Sequence, residues 1–231
     1  MKKTRKKTWW QSLKRFLLWL FILQFIYIII LRWVNPPFTI TQVVSLIKGN
    51  GLKRDYVSYN EINSSAKLAV MAGEDQLFPD HNGFDVKAIK KAVKYNEKHP
   101  TKVRGASTIS QQVAKNVFLW QGGGFFRKGL EVYFTFMIEI FWGKKRILQM
   151  YLNVSEMGKG IFGIQSAAKN YFNKDAALLT RNEAAQIAAA LPNPVRFTVK
   201  PLSKYVAARS GNIMRQMNNL ETDPDIQSLL K

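Results

Sequence analysis

Between Phe16 and Leu31 the chain reads FLLWLFILQFIYIIIL, with Gln24 as its only polar residue. A soluble core breaks up such a run with polar surface positions; a bilayer does not require that. Carried on through Trp33 and Val34, the run covers residues 16–34. That meets the roughly 17–25 residues a helix needs to cross the hydrocarbon layer. Trp9, Trp10 and Trp33 fall where interfacial aromatics anchor a span. A cleaved signal peptide has a shorter apolar core, about 7–15 residues, and a small-residue cleavage site. The stretch Arg32-Trp33-Val34-Asn35-Pro36-Pro37 is a poor site of that kind. The sequence therefore predicts one uncleaved N-terminal transmembrane helix over 16–34. Residues 1–15 make a basic tail in front of it, which predicts a cytoplasmic N-terminus and everything after residue 35 on the outer face.

Charge sharpens this. The chain carries a formal net charge of +20. Lys2, Lys3, Arg5, Lys6, Lys7, Lys14 and Arg15 supply +7 of it within the first fifteen residues, leaving +13 for the rest. A basic body asks for an anionic partner. The topology removes nucleic acid from the choice and leaves anionic lipid or a pyrophosphate-linked substrate. There is no cysteine, so disulfides and thiolate metal sites are excluded.

Beyond the span the pattern is mainly α. Asn35-Pro36-Pro37 opens a linker over 35–57, a catalytic-size domain follows over 58–220, and residues 221–231 read as a loosely held C-terminal tail. Ala66–Ala72 is helical and delivers Glu74 at its C-terminal end. Val86–Lys98 has helical spacing with Lys87, Lys90, Lys91, Lys94 and Lys98 on a basic face, which simple solvation also explains. Ser107 or Thr108 caps a helix that runs to Phe118. Thr180 and Glu183 have capping-box spacing. Between Val117 and Trp142 the chain is dense in aromatics, including Phe118, Trp120, Phe125, Phe126, Phe134 and Phe136, with Arg127 and Lys128 among them. That predicts a membrane-associating segment over 117–142, with core filling as the competing use of the same rings.

Polar chemistry concentrates in three places. Glu74 and Asp75 open the run EDQLFPDHNGFD, Gly105–Asn116 reads GASTISQQVAKN, and Arg127, Lys128 and Glu131 form a charged cluster. Glu74 and Glu131 lie on separate segments, 57 positions apart. Glycosyl chemistry commonly uses two such carboxylates, one to handle a proton and one to manage charge at the other end of the breaking bond.

These clusters resemble the glycosyltransferase family 51 domain, and the layout is similar to the monofunctional peptidoglycan glycosyltransferases. The pattern E-D-x-x-F-x-x-H-x-G-x-D matches at Glu74, Asp75, Phe78, His81, Gly83 and Asp85. G-x-S-T-I-[TS]-Q-Q-x-x-K-N matches at Gly105, Ser107, Thr108, Ile109, Ser110, Gln111, Gln112, Lys115 and Asn116. R-K-x-x-E matches at Arg127, Lys128 and Glu131, and K-x-x-I-L-x-x-Y-L-N at Lys144, Ile147, Leu148, Tyr151, Leu152 and Asn153. A fifth block runs from Gly160 through Ala168, Tyr171 and Phe172. The likeness covers roughly residues 58–201. Three positions depart: Gln149 stands where many relatives carry Glu, Ala106 replaces a common Gly, and Gly123 sits in a loop where several relatives place an Arg thought to hold phosphate.

The resemblance implies a lysozyme-like helical catalytic domain and an inverting glycosyltransferase. It would polymerise lipid II into linear β-1,4 glycan strands and release undecaprenyl pyrophosphate. On that analogy Glu74 is the general base. Glu131 is the second catalytic carboxylate, either holding a divalent cation, Mg2+ or Mn2+, at the pyrophosphate or orienting the cations around it. Lys115, Arg127 and Lys128 meet the pyrophosphate, and Asp75, Ser107, Thr108, Gln111, Gln112 and Asn116 bind substrate. His81 reads as a structural residue behind Glu74. Expected partners are the lipid-linked substrates, the inner membrane crossed once, and other cell-wall synthesis and division proteins. Two other readings stay open: a lysozyme-like glycan-cleaving enzyme and an inactive membrane-anchored scaffold. A penicillin-binding transpeptidase is excluded, because Ser64-x-x-Lys67 and Ser166-x-x-Lys169 are followed by no K-T-G and no room for that domain.

Overall fold

The computed structural model describes residues 9–101 and 104–231. Most of the basic N-terminal tail, residues 1–8, lies outside the described residues. The chain divides into two units, one ending at Asn35 and one running from Pro36 to Lys231.

The first unit is a single helix, α1 (Trp9–Ile30), long and apolar enough to cross a membrane. At 1.5 Å per residue its 22 residues extend about 33 Å. It starts before Phe16 and ends before Val34, so it differs from the expected 16–34 at both ends. Residues 31–34 form a turn, in which Val34 N still donates to Ile30 O. Pro36 disfavours helical backbone at Asn35, so the helix cannot resume beyond this turn.

The second unit begins earlier than expected. Residues 35–57 are not a bare linker: they contain α2 (Ile40–Ile47) and β1 (Lys53–Arg54). Thr39 and Gln42 close a capping box that starts α2, a signal present in the sequence and passed over. α2 has an inverted amphipathic pattern. Thr41, Gln42 and Ser45 are buried, while Ile40, Val43, Leu46 and Ile47 are exposed, Ile47 at 79%.

The core is built around α3 (Ser64–Glu74), in which every residue from Ala66 to Ala72 is buried. It packs on α9 (Arg181–Ala190) and α10 (Lys204–Leu220). The alanines of α9 and Gly73 of α3 allow this close approach: a Cβ on Gly73 would stand 3.1 Å from Ile213 Cδ1. A second layer has α5 (Ile109–Phe118) against α6 (Phe125–Phe141) and α7 (Lys144–Val154). α4 (Val86–Lys98) buries no residue, and its lysines are solvated. A small sheet pairs β1 parallel to β3 (Ile161–Phe162), and β3 antiparallel to β2 (Glu156–Gly158). Gly160 in the β2–β3 turn has φ +68°, and a Cβ there would sit 2.1 Å from Asn50 O. α8 (Ile164–Phe172) follows the sheet. The C-terminal segment is not loose: α11 (Pro224–Leu230), capped by Asp223 with Pro224 in its first turn, buries Ile226 and Leu229 against α3. Its two apolar anchors are too few to stand out in a sequence pattern.

Candidate active site

α3 ends at Glu74. Asn63 caps the other end, its side chain accepting from Ser65 N at 2.8 Å. The Glu74 carboxylate projects into a cleft of about 1040 Å³, lined among others by Ser107, Gln112, Lys115, Leu191, Tyr205 and Arg209. Gln112 Nε2 donates to Glu74 Oε2 at 2.9 Å. The Tyr151 hydroxyl, on buried α7, donates to Gln112 Oε1 at 3.2 Å. This chain fixes the amide's orientation, so that its N–H2 faces the carboxylate. Arg209 Nη2 approaches Glu74 Oε1 to 3.5 Å. Burial pushes the Glu74 carboxyl above the usual range; the Gln112 hydrogen bond and the charges of Arg209 and Lys115 pull it back, against a further push from Asp75. Burial, with help from Glu74's charge, raises the Tyr151 phenol, so that it stays a donor.

Asp75 is buried and faces inward. His81 Nε2 lies 3.0 and 3.1 Å from its two oxygens, and Ile109 N donates to Oδ2 at 2.9 Å. Gly83 N donates to His81 Nδ1 at 3.2 Å, so the proton sits on Nε2 and points at Asp75. Asp75 therefore ties the end of α3 to the N-terminus of α5, where an anion is also favoured by the helix dipole. Thr108 and Gln111 close the α5 capping box, and Thr108 Oγ1 also donates to Gly83 O at 2.7 Å. Gly83 has φ +87°, and a Cβ there would lie 2.7 Å from Thr135 Cγ2. Lys144 Nζ donates to His81 O and, at 2.8 Å, to Glu139 Oε1. The His81 ring and the Lys144 ammonium are both spent on contacts within the protein.

Lys115, one turn beyond Gln112 on α5, lines the same cleft and a smaller recess of about 190 Å³ that reaches Asn116, Tyr151 and Glu156. Burial lowers the Lys115 ammonium; the nearby charges of Glu131 and Glu74 raise it, and Arg127 and Lys128 lower it further. Lys115 thus feels both glutamates. Glu131 is buried, with Oε2 accepting from Arg127 Nη1 at 2.7 Å and Oε1 accepting from Lys128 Nζ. Asn116 Oδ1 accepts from Gln121 Nε2 at 3.1 Å. Glu131's oxygens are taken by two cations, and no group of three or more His, Cys, Asp or Glu able to hold a metal occurs among the described residues. This donor set does not fit a divalent-cation cage.

Of the sequence-derived set, Glu74, Ser107, Gln112 and Lys115 open into the cleft. Thr108 and Asp75 also border it, but their polar atoms are spent on holding α5; Gln111, buried in the α5 capping box, does not line it. Arg127, Lys128 and Glu131 form their own ion-paired cluster near Lys115, and Asn116 lines the recess. Arg209 and Tyr151's contact with Gln112 were missed. Arg209 lies outside all five sequence blocks, and no spacing pattern singles it out.

The sequence matches the family described as Transglycosylase over residues 41–218. Among curated proteins it is 49% identical over 216 residues to the "Biosynthetic peptidoglycan transglycosylase" of Pseudomonas putida (strain GB-1), covering 91% of each chain. It is 50% identical over 195 residues to the Aeromonas hydrophila protein of that name, with 83% of each chain covered. With the Escherichia coli O139:H28 protein of that name it shares 54% identity over 173 residues, 75% of this chain and 72% of the relative. With a family match across most of its length and relatives this similar over nine-tenths of it, the chain belongs to the transglycosylase family.

Proposed function

We propose that the chain is a membrane-anchored peptidoglycan glycosyltransferase that polymerises lipid II, with Glu74 as general base. The observation that carries this reading is the arrangement of the cleft: a hydrogen-bonded carboxylate on one side and, one helical turn away on α5, a cation within the field of the Arg127–Lys128–Glu131 cluster. In the reaction, Glu74 takes the proton of the acceptor 4-hydroxyl. The hydroxyl oxygen bonds to the donor's anomeric carbon from the face opposite the leaving group. The bond from that carbon to the pyrophosphate oxygen breaks, and undecaprenyl pyrophosphate departs with the electron pair. Pyrophosphate needs no strong acid to leave, only positive charge near its oxygens. Lys115, Arg127 and Lys128 supply that charge, and Glu131 orients the last two. No step of this mechanism runs through a divalent cation.

The membrane reading has two supports besides α1. On α6, Phe125 is 99% exposed and Phe126, Val132, Phe136 and Ile140 share the solvent side, whereas Glu131 and Thr135 are buried. The aromatic segment thus divides: Phe118 stacks on Phe134, which Tyr133 also meets edge-on, and Trp142 is buried, whereas Trp120, Phe125, Phe126 and Phe136 are exposed. α2 repeats the inverted pattern. Exposed apolar area on this scale marks an interaction surface, and for a chain read as anchored in a membrane the occupant is a bilayer. We place the N-terminus in the cytoplasm and the catalytic unit on the outer face of the inner membrane, in company with other wall-synthesis and division proteins.

The test is polymerisation of purified lipid II in detergent by the full chain and by Glu74→Gln. The expected result is glycan strands from the native protein and a loss on the order of 10²–10⁴-fold in the variant, the usual worth of a positioned base. A variant within a few-fold of native would overturn the assignment of the base. Strand cleavage without synthesis would favour the lysozyme-like reading.

A further inference from the structure

Glu74 is an awkward place for an ionised carboxylate. It is the last residue of α3, where the helix dipole is negative and disfavours an anion. Its side chain is 12% exposed, and Asp75 follows it directly. Burial of a carboxyl against apolar surroundings is how some glycan-cleaving enzymes keep a glutamic acid protonated to serve as an acid. A base needs the opposite state. Something at this site must hold the charge.

Two groups grip the carboxylate, one on each oxygen. Gln112 donates to Oε2. Arg209, from α10, stands at Oε1 and also donates from Nη2 to Gly73 O at 3.0 Å. The guanidinium therefore answers two negative groups at once, the carboxylate and a carbonyl in the last turn of α3. Its delivery follows from packing. Val206, Ser210, Ile213 and Met217 are the buried stripe of α10, and Arg209 lies at that stripe's edge, one position from Ser210. Gly73 lets Ile213 come close enough to bring Arg209 level with Glu74. Arg209 lines the main cleft and lies far along the chain, outside the sequence blocks that carry the other polar residues of the site.

We propose that Arg209 is the positioning residue that keeps Glu74 a base: it holds Oε1 from α10 while the Tyr151–Gln112 pair holds Oε2, aiming an ionised carboxylate into the cleft. This rests on the reading of Glu74 as the base. The other groups facing Glu74 are Lys115 from α5, Tyr151 from α7 and Asp75 at the end of α3, and Asp85 and Arg104 line the same cleft further out. Among the described residues, Arg209 is the cation with a direct approach to the carboxylate. The geometry also assigns it a carbonyl tie that a lysine can copy only in part, since lysine offers a point charge rather than a planar fork.

The sign of the effect is fixed by this arrangement. Removing a cation from beside a carboxylate raises the pH at which it ionises. The acidic limb of the kcat/KM profile should therefore move to higher pH. The experiment measures lipid II polymerisation by the full-length protein in detergent from about pH 5 to pH 9, for native, Arg209→Lys, Arg209→Gln and Glu74→Gln. The expected result is a displaced acidic limb in Arg209→Gln, with a loss on the order of tenfold on that limb for each pH unit of displacement. The loss shrinks as pH rises. Arg209→Lys should return most of the limb to its native position. A Gln variant whose activity falls by one factor at every pH would overturn the proposal and leave Arg209 as a tie between α10 and α3. So would a Lys variant no better than Gln in the position of its limb. A Glu74→Gln protein that still polymerises would remove the base reading and this proposal together, whereas an inactive Glu74→Gln with an unmoved limb in Arg209→Gln would remove this proposal alone.

Discussion

Asp75 is adjacent to the proposed base and borders the cleft, so replacing it distinguishes a strut from a substrate ligand. Its carboxylate accepts the Ile109 N–H at 2.9 Å and meets His81 Nε2 at 3.0 Å, with the residue only 7% exposed. Asp75→Ala leaves the Ile109 N–H and the His81 N–H buried without an acceptor. A hydrogen bond to a charged group is worth about 1.5–3 kcal/mol. The anion's place at the α5 N-terminus adds up to about 2 kcal/mol in a partly buried setting. Two such bonds and the dipole contribution together give a loss of about 3–8 kcal/mol. For a folded unit of about 150–250 residues each kcal/mol moves Tm by about 2–4 °C, which gives a fall on the order of 10 °C. The assay is thermal unfolding of full-length protein in detergent, paired with steady-state polymerisation well below Tm. KM should stay near native. Asp75 also pushes the Glu74 carboxyl up, so its removal should shift the acidic limb to lower pH, opposite to Arg209→Gln. Asp75→Asn keeps one acceptor for Ile109 and should lose about half as much stability. A Tm within about 2 °C of native, with a KM raised tenfold, would refute the strut and make Asp75 a substrate ligand.

Two further outcomes test the second grip on Glu74 and the lipid-facing surface. Tyr151→Phe frees the Gln112 amide to turn, so kcat should fall by about two- to tenfold, the worth of one neutral hydrogen bond, with KM little changed; a change in Tm alone would remove Tyr151 from the site. Because the native chain has no cysteine, single cysteines at Ile47, Phe125 and Lys90 can each carry an environment-sensitive dye. In proteoliposomes the first two should be quenched by brominated lipid and the third should not, and equal quenching at all three would sink the membrane-contact reading of α2 and α6.

The residues that do polar work announce themselves when their type is unusual for a core and their spacing is tight. Glu74, Gln112, Lys115, Arg127 and Glu131 were legible for that reason, as were the caps at Thr108 and Thr180, which depend on local spacing alone. Three things were not. Asp75 beside Glu74 reads as a second ligand, because its burial depends on where α5 begins, 34 residues away. Arg209 is one of 35 Lys and Arg residues, and nothing local separates it from a solvated surface charge. In α2 the apolar stripe is visible at helical spacing, but the ordinary rule turns that stripe inward. The structure turns Thr41, Gln42 and Ser45 inward instead: Gln42 Nε2 donates to the Tyr56 hydroxyl at 3.0 Å and Ser45 Oγ to Gly51 O at 3.0 Å. Those partners come from the segment expected to be a linker, so the inward polar face is not legible while that segment reads as structureless.

The placement of α5 explains why so much of this site is spent on holding one helix. Gln112 grips the proposed base, and Lys115, three residues on, faces the cation cluster. Three residues of helix, a rise of about 4.5 Å, therefore set the separation between the end of the site proposed to remove a proton and the end proposed to receive the leaving phosphate. A shift of α5 by a fraction of that rise would displace both ends together, since Gln112 would leave Glu74 and Tyr151 while Lys115 moved relative to both glutamates. The helix N-terminus is fixed accordingly by four independent ties. Asp75 takes the Ile109 N–H, Thr108 and Gln111 cap each other, Thr108 Oγ1 holds Gly83 O, and Ser110 Oγ donates to Glu139. Residues from this run that look like a row of substrate ligands are better explained as the clamp that gives Gln112 and Lys115 a fixed position, because misplacing a reacting group by about 1 Å can cost on the order of a hundredfold in rate.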